Sequence, residues 1–264
     1  LDIVYEIKQR YNSFSQKEKD IANYILKHKD NIENISITNL SKATGASTST
    51  ITRFSKKINC DSFVQMKIKL NTTFNNPLPK ENDLFSAVHN YYTEVIEKTN
   101  QLINKKLILK VVEEIKKAKR IYIYGVGSSG LTAHEFMQRL LRMGFNVSSI
   151  TDSHMMIINS AIVSADDLVI GISISGETKE IVDSLRVSQK NGAHTIGVTS
   201  FPNSSIKKFS NDLILICASD FIHKRDFINT QFSTMYLFDL ISTILLSNKD
   251  LRKKMQLTIE AILK

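Results

Sequence analysis

Cysteine is nearly missing from this sequence. Cys60 and Cys217 stand too far apart to suggest a disulfide framework or a thiolate metal cluster. Small buried thiols in a reducing compartment are the expectation, with no metal and no cofactor. Long apolar runs are missing too. A membrane span needs ~20 predominantly apolar residues, and the nearest stretch, Ile228 to Leu246, is interrupted by Asn229, Gln231 and Asp239. It reads as an amphipathic helix of a soluble protein. The opening LDIVYEIKQR carries acidic residues and no apolar core, so no signal peptide is read there and a cytoplasmic protein is expected. Proline occurs three times, and two of the three, Pro77 and Pro79, fall together in NTTFNNPLPKEND, residues 71 to 83. That cluster marks a linker.

What is present is positive charge at the front. Residues 1 to 80 hold 13 Lys/Arg against 7 Asp/Glu, whereas residues 121 to 264 hold 14 against 13, so the formal +9 belongs mainly to the first part. Positive potential gathered on one small domain attracts polyanions, nucleic acid among them. A chain of 264 residues has room for two cores. The reading is a helix-turn-helix domain over 1–75, a linker over 76–83 and a second domain over 84–264.

In the front segment, Ser15-Gln-Lys-Glu18 has the form of a capping box and Ile21, Tyr24 and Ile25 follow at helical spacing. Ser36 caps a second helix with Ile37, Leu40 and Ala43 on one face, stopped at Gly45, which can take the positive φ of a sharp turn. Ser47 caps a third, whose Ile51, Phe54 and Ile58 share an apolar arc. Two short helices about a glycine turn form a helix-turn-helix, whose second member enters the DNA major groove. Its outward face carries Ser49, Thr52, Arg53 and Lys56, side chains suited to bases and phosphates. A plain helical bundle with a solvated polar face has the same spacing.

The run from Leu40 to Phe54, LSKATGASTSTITRF, followed by Phe63-Val-Gln-Met-Lys67, resembles the helix-turn-helix of the RpiR/MurR family of bacterial sugar-catabolism regulators. The resemblance implies that Ser47, Thr50 and Arg53 face DNA or orient the helix. Thr50 lies off the outward face but can reach phosphate from the first turn. Where the family often has Leu-Gly and an apolar residue after this helix, the chain has Ile58-Asn59-Cys60, and Asn tolerates the left-handed geometry such a turn needs.

Residues 84 to 119 are helix-rich and end in a basic cluster from Lys105 to Arg120, read as a solvated face. Short apolar runs then alternate with helical patterns: Ile121 to Tyr124, Val147 to Ile150, Leu168 to Ile172, Thr195 to Val198 and Leu213 to Ile216. That alternation predicts an α/β fold, a doubly wound parallel sheet behind the small all-α head. Two strand-to-helix junctions stand out. Gly125-Val-Gly127-Ser128-Ser129-Gly130 matches G-x-G-x-x-G, with Asp152 about 20 residues on, a weak dinucleotide fingerprint. Ser173-Ile-Ser175-Gly176-Glu177-Thr178 combines three hydroxyls with a glycine before a helix, the makings of an anion cradle. Turn chemistry or capping, for Thr178 in particular, accounts for each hydroxyl singly. Jointly they read as one pocket: Ser173, Ser175, Gly176 and Thr178 on a phosphate, with Gly127, Ser128 and Ser129 closing over a sugar.

The pair of loops resembles the SIS domain, the sugar-isomerase fold of phosphosugar isomerases and RpiR-type regulators. What the resemblance implies is a transcriptional regulator of sugar metabolism, more readily repressor than activator, that binds a double-stranded operator as a homodimer or homotetramer and responds to a phosphorylated sugar. A phosphosugar isomerase is the alternative and needs a base, for which Glu177, His154, His134, His223 and Arg225 are the candidates. Glu177 reads better as charge in a first helical turn. An NAD(H)-sensing regulator with Asp152 on the ribose is the third reading.

Overall fold

In the computed structural model the described residues are 3–28, 35–74, 84–218 and 231–263. They divide into two compact units between Tyr91 and Tyr92. The first contains α1 (Ile3–Arg10), α2 (Gln16–Lys27), α3 (Ile37–Thr44), α4 (Thr48–Lys57) and α5 (Phe63–Phe74). Next come α6 (Leu84–Leu102), the helix within which the division falls, and α7 (Lys105–Lys117). Then follow β1 (Arg120–Gly125), α8 (Ser128–Arg142), β2 (Val147–Ile150), α9 (Ser153–Ile162), β3 (Asp167–Ile172), α10 (Lys179–Lys190), β4 (His194–Thr199), β5 (Asp212–Leu215), α11 (Phe232–Leu245) and α12 (Lys249–Ile262).

The helix signals of the first unit hold at the atomic level. Ser15 Oγ accepts from Glu18 N and the Glu18 carboxylate accepts from Ser15 N, closing the capping box of α2. Ser36 caps α3, Gly45 ends it at φ 62°, and Ser47 caps α4. Asn59 takes φ 57° after α4, the left-handed geometry asked of it. Ile21, Ile25, Leu40, Ile51, Phe54 and Ile58 meet in one core, and each large apolar side chain so buried contributes about 1.5–3 kcal/mol. One expectation changes. Ala43 is exposed, and the side chain one position on, Thr44, is buried beside Leu40, its hydroxyl satisfied by the Leu40 carbonyl. The first four residues of the proline- and asparagine-rich stretch 71–83 belong to the end of α5, and the linker read over 76–83 lies outside the described residues. The helices α1 and α5 had no sequence assignment, yet Ile3, Val4 and Ile7 share the core with Met66 and Leu70.

The second unit is a five-stranded, all-parallel sheet in the order β2-β1-β3-β4-β5. One core joins α7, α8 and α11 to one face of the sheet; another joins α9 and α10 to the other. Because the connections leave β1 toward one edge and β3 toward the other, the order reverses between β1 and β3. Ligands in open α/β sheets bind outside the strand ends at such a point. Register sharpens this: Gly125 pairs with Ile172, so the loops after β1 and β3 leave the sheet side by side.

The opposite end of the same strand pair is clamped. Arg120 and Asp167 are register partners, and the guanidinium grips the carboxylate in a fork at 2.7 and 2.6 Å while Ser164 N and Oγ donate to it. Burial pushes the Asp167 carboxyl up, but the Arg120 and Ser164 hydrogen bonds outweigh it and hold the group below its ordinary value. A carboxyl depressed in the folded state adds stability above its unfolded pKa and loses it as pH falls through the folded one. Asp167→Asn is therefore expected to cost this unit about 3 kcal/mol at pH 7, the low end for breaking a buried pair because the Arg120 side chain is 36% exposed. Urea unfolding checks this, and the gap to wild type should narrow as the pH drops below the ordinary carboxylate range.

Candidate ligand site and nucleic-acid interface

At the paired ends of β1 and β3 the two loops are built from hydroxyls and bare helix starts. Ser173, only 2% exposed, is the hub of the second loop. Its Oγ accepts from Gly176 N at 3.0 Å and Thr178 N at 3.4 Å, and lies 2.8 Å from Thr178 Oγ1. Ser175 is exposed, and its Oγ accepts from Glu177 N at 3.2 Å. Gly176 is required twice over. Its φ is +68°, and a Cβ there would lie 2.0 Å from Ser204 Oγ and 2.8 Å from Thr199 Oγ1. The loop is thus pressed against the segment after β4, which fixes where Ser175 points.

Thr178 occupies the N-cap position of α10 without a side-chain cap bond, since its hydroxyl faces Ser173 instead. Capping therefore does not explain it. The start of α8 is similar: Gly127, at φ 58°, is its N-cap and supplies no side chain, leaving Ser128 and Ser129 in the first turn. The contrast is α9, whose N-cap Asp152 accepts from Met155 N at 2.9 Å. Among the three helices that directly follow strands, the one at the sheet edge carries its own carboxylate. The two at the reversal point have no side-chain cap, and free N–H groups at a helix start favour an anion.

The other candidates are placed as follows. Glu177 precedes α10 and its carboxylate accepts from Ser205 N at 3.0 Å, so it ties down the short 3₁₀ helix Ser205–Phe209 rather than charging a first turn. His134 lies 3.2 Å from Ser149 Oγ and 3.1 Å from Gln138 Nε2. His154 is exposed on α9, beyond the edge strand β2, and His223 and Arg225 lie outside the described residues. A nucleotide fold of the order 3-2-1-4-5-6 places β3 beside β2. Here β3 lies beside β1, and Asp152 is occupied as a cap.

In the first unit, α4 buries Ile51, Phe54 and Ser55 and turns Ser49, Arg53 and Lys56 outward, with Thr52 and Thr50 half-buried at its sides. Ser47 Oγ caps Thr50 N and lies 2.8 Å from the hydroxyls of both Ser49 and Thr50. Thr52 Oγ1 donates to Thr48 O. Arg53 and Lys56 have no hydrogen bond or ion pair among the described residues, which leaves both available. The neighbouring Lys57 is not, because its Nζ is 2.7 Å from Glu18. Burial raises the Glu18 carboxyl, and the bonds from Lys57 and Ser15 more than reverse that. Lys17 was missed in the sequence: its ammonium sits beside the Gly45 turn, next to the start of α4, a position set by how α2 packs on the pair. No group of His, Cys, Asp and Glu able to hold a metal occurs among the described residues, and no helix there is long and apolar enough to cross a membrane.

Comparison with known proteins agrees with both halves. A family model described as helix-turn-helix domain, rpiR family, matches residues 1–77, and one described as SIS domain matches residues 114–243. An uncharacterised HTH-type transcriptional regulator of Clostridium perfringens is 30% identical over 87% of this chain and 86% of its own length. Another from Haemophilus influenzae is 27% identical over 94% of this chain and 91% of its own. Among solved structures, the Vibrio vulnificus NanR protein complexed with ManNAc-6P superposes with a TM-score of 0.67 at 22% identity, over 98% of each chain. At that identity the likeness speaks for the fold.

Proposed function

The chain belongs to the RpiR family of helix-turn-helix transcriptional regulators that carry a SIS domain, and from that premise we propose that a phosphorylated sugar at the β1/β3 reversal point controls its grip on DNA. One observation carries the reading. The helices that open on the paired strand ends, α8 and α10, lack side-chain caps and are preceded by serine-rich turns, whereas α9 next to them is capped by a carboxylate. A phosphate dianion supplies what those two starts lack. Ser175, Thr178 and the first-turn N–H groups of α10 take the phosphate; Ser128 and Ser129 close on the sugar. That the solved NanR protein carries ManNAc-6P supports a ligand of this class.

Turnover is not part of the proposal. Glu177, the base candidate nearest the loop, already accepts from Ser205 N, which ties it to the 3₁₀ helix rather than holding it free for proton transfer between carbons. The regulator acts as a homodimer or homotetramer, because two-fold symmetry brings two heads to half-sites one helical turn apart. The outer face of α9, with Met155, Ile158 and Ile162 each more than half exposed, is the surface we assign to that contact; light scattering on an Ile158→Asp variant decides. Release of a repressed operator on ligand binding is the preferred sign.

Thermal shift against hexose, pentose, amino-sugar and N-acetylmuramic acid phosphates, with NADH alongside, tests the ligand class. One sugar phosphate should raise the melting temperature without being consumed, and NADH should not. A shift with NADH alone, or steady conversion of the sugar, defeats the reading.

A further inference from the structure

The first unit contains a cavity of about 160 Å³ between α1, the turn that ends α4, and α5, lined by Ile3, Glu6, Ile58, Asn59 and Lys69. Ile3 and Ile58, at 2% and 1% exposure, give it an apolar wall. Glu6 gives it a charge, on a side chain only 6% exposed, where a carboxylate left short of donors is costly. Arg10, one turn along α1, donates from Nε to Glu6 Oε2 at 3.1 Å. The other carboxylate oxygen, Oε1, has no hydrogen bond among the described residues. Lys69, on the same cavity wall, does not supply one, because its Nζ donates to the Asn59 carbonyl at 2.9 Å. Size follows from volume: a cavity of about 150 Å³ accommodates a six-carbon ring, so a primary amine of roughly four to six carbons fits here. Its ammonium has three N–H groups to give and no need of an acceptor other than oxygen. The place matters as well. Ile58 is the C-cap residue of α4 and Asn59 turns the chain at φ 57° just after it, so an occupant touches the end of the helix whose outer face carries Arg53 and Lys56.

We propose that this cavity is a second effector site, for a small organic ammonium with a short apolar stem, which binds Glu6 Oε1 and steadies the end of α4. It is independent of the phosphosugar reading, since every lining residue belongs to the first unit. The ammonium donates to Oε1, and the stem lies against Ile3 and Ile58. A buried carboxylate favours arrangements that let water reach it; a bound cation removes that bias and favours the one in which α1 stays packed on the end of α4. An effector shifts an equilibrium by binding one arrangement better than another, so the occupied head holds α4 in place and binds DNA more tightly. By linkage, DNA raises the affinity for the amine by the same factor.

The test uses the full chain, n-butylamine as the probe, and a duplex selected on the wild type from a random pool, all at pH 7 and constant ionic strength. Calorimetry should show one amine per chain, with 1-butanol and butyrate bound at least about tenfold more weakly, because neither brings a cation to the carboxylate. Fluorescence anisotropy should show duplex binding tightened about fivefold at saturating amine, the low end of an ordinary coupling. Glu6→Gln keeps the shape and an oxygen acceptor for Arg10 but removes the charge, and should lose at least about tenfold in amine affinity. A thermal melt separates lost folding from lost binding; where the variant fails to fold, the comparison of n-butylamine with 1-butanol on the wild type decides. No amine binding, equal affinity for amine and alcohol, undiminished binding in a folded Glu6→Gln, or amine binding that leaves duplex affinity unchanged overturns the inference. None of these results touches the phosphosugar reading, which the thermal-shift panel judges separately.

Discussion

Arg53→Ala should weaken duplex binding by about 10- to 100-fold per head, the 1–3 kcal/mol that a bidentate arginine contributes at a base edge. The guanidinium stands on the outer face of α4, exposed and unpaired among the described residues, while the helix is held from behind by Ile51 and Phe54. Removing it costs the fold nothing that these contacts supply, so stability and sugar-phosphate affinity should stay at the wild-type level. Arg53→Lys separates two roles. If the residue reads a base, lysine keeps the salt dependence but loses the preference for the selected sequence, because the planar fork is gone. If it serves only a phosphate, lysine restores affinity. Lys57→Ala provides the internal contrast: its charge is already taken by Glu18, so it should lower the stability of the first unit more than it lowers DNA affinity. Anisotropy titrations at several salt concentrations check all three, and equal duplex affinity for wild type and Arg53→Ala would count against α4 as the reading helix.

The second large effect concerns the loop after β3. Ser175→Ala combined with Thr178→Ala should lower sugar-phosphate affinity by about 100-fold or more, since each hydrogen bond to a charged group is worth about 1.5–3 kcal/mol. Part of the loss arises before any ligand arrives. Ser175 Oγ holds Glu177 N, and Thr178 Oγ1 faces Ser173 Oγ, so the double variant also loosens the turn that aims the N–H groups of α10. Duplex binding without ligand should be unaffected, because these residues belong to the second unit and the reading helix to the first. Thr178→Ser, which keeps the hydroxyl, should retain most of the affinity. Isothermal titration calorimetry gives the number; a double variant that still responds to ligand would place the pocket elsewhere.

Much of this architecture is legible in the residues because its causes are local. A capping box needs only Ser15 and Glu18 three positions apart, and the turn at Gly45 needs only a residue free to take positive φ. Strands were found to within a residue or two because apolar runs between helical patterns have few other solutions. What stayed hidden depends on partners distant in sequence. α1 is two turns long, and on α5 Val64 and Ile68 are exposed opposite the buried Met66 and Leu70, so neither helix offers a clean stripe. Ala43 and Thr44 are both small, and only packing decides which turns inward. Alternation announces strands but not their order, and it is the order β2-β1-β3 that makes neighbours of the two serine loops. The Glu177 bond to Ser205 and the Thr132 contact with Gln231 span 28 and 99 residues and carry no sequence signal.

A crystal structure of the full chain with the sugar phosphate chosen by thermal shift tests the central claim most directly. Phosphate oxygens on the Ser175 and Thr178 hydroxyls and the first N–H groups of α10, with the sugar under Ser128 and Ser129, is the predicted result. Density for the phosphate at any other place in the fold, or an adenine nucleotide lying along Gly125 to Gly130 with Asp152 released from its cap, would contradict it.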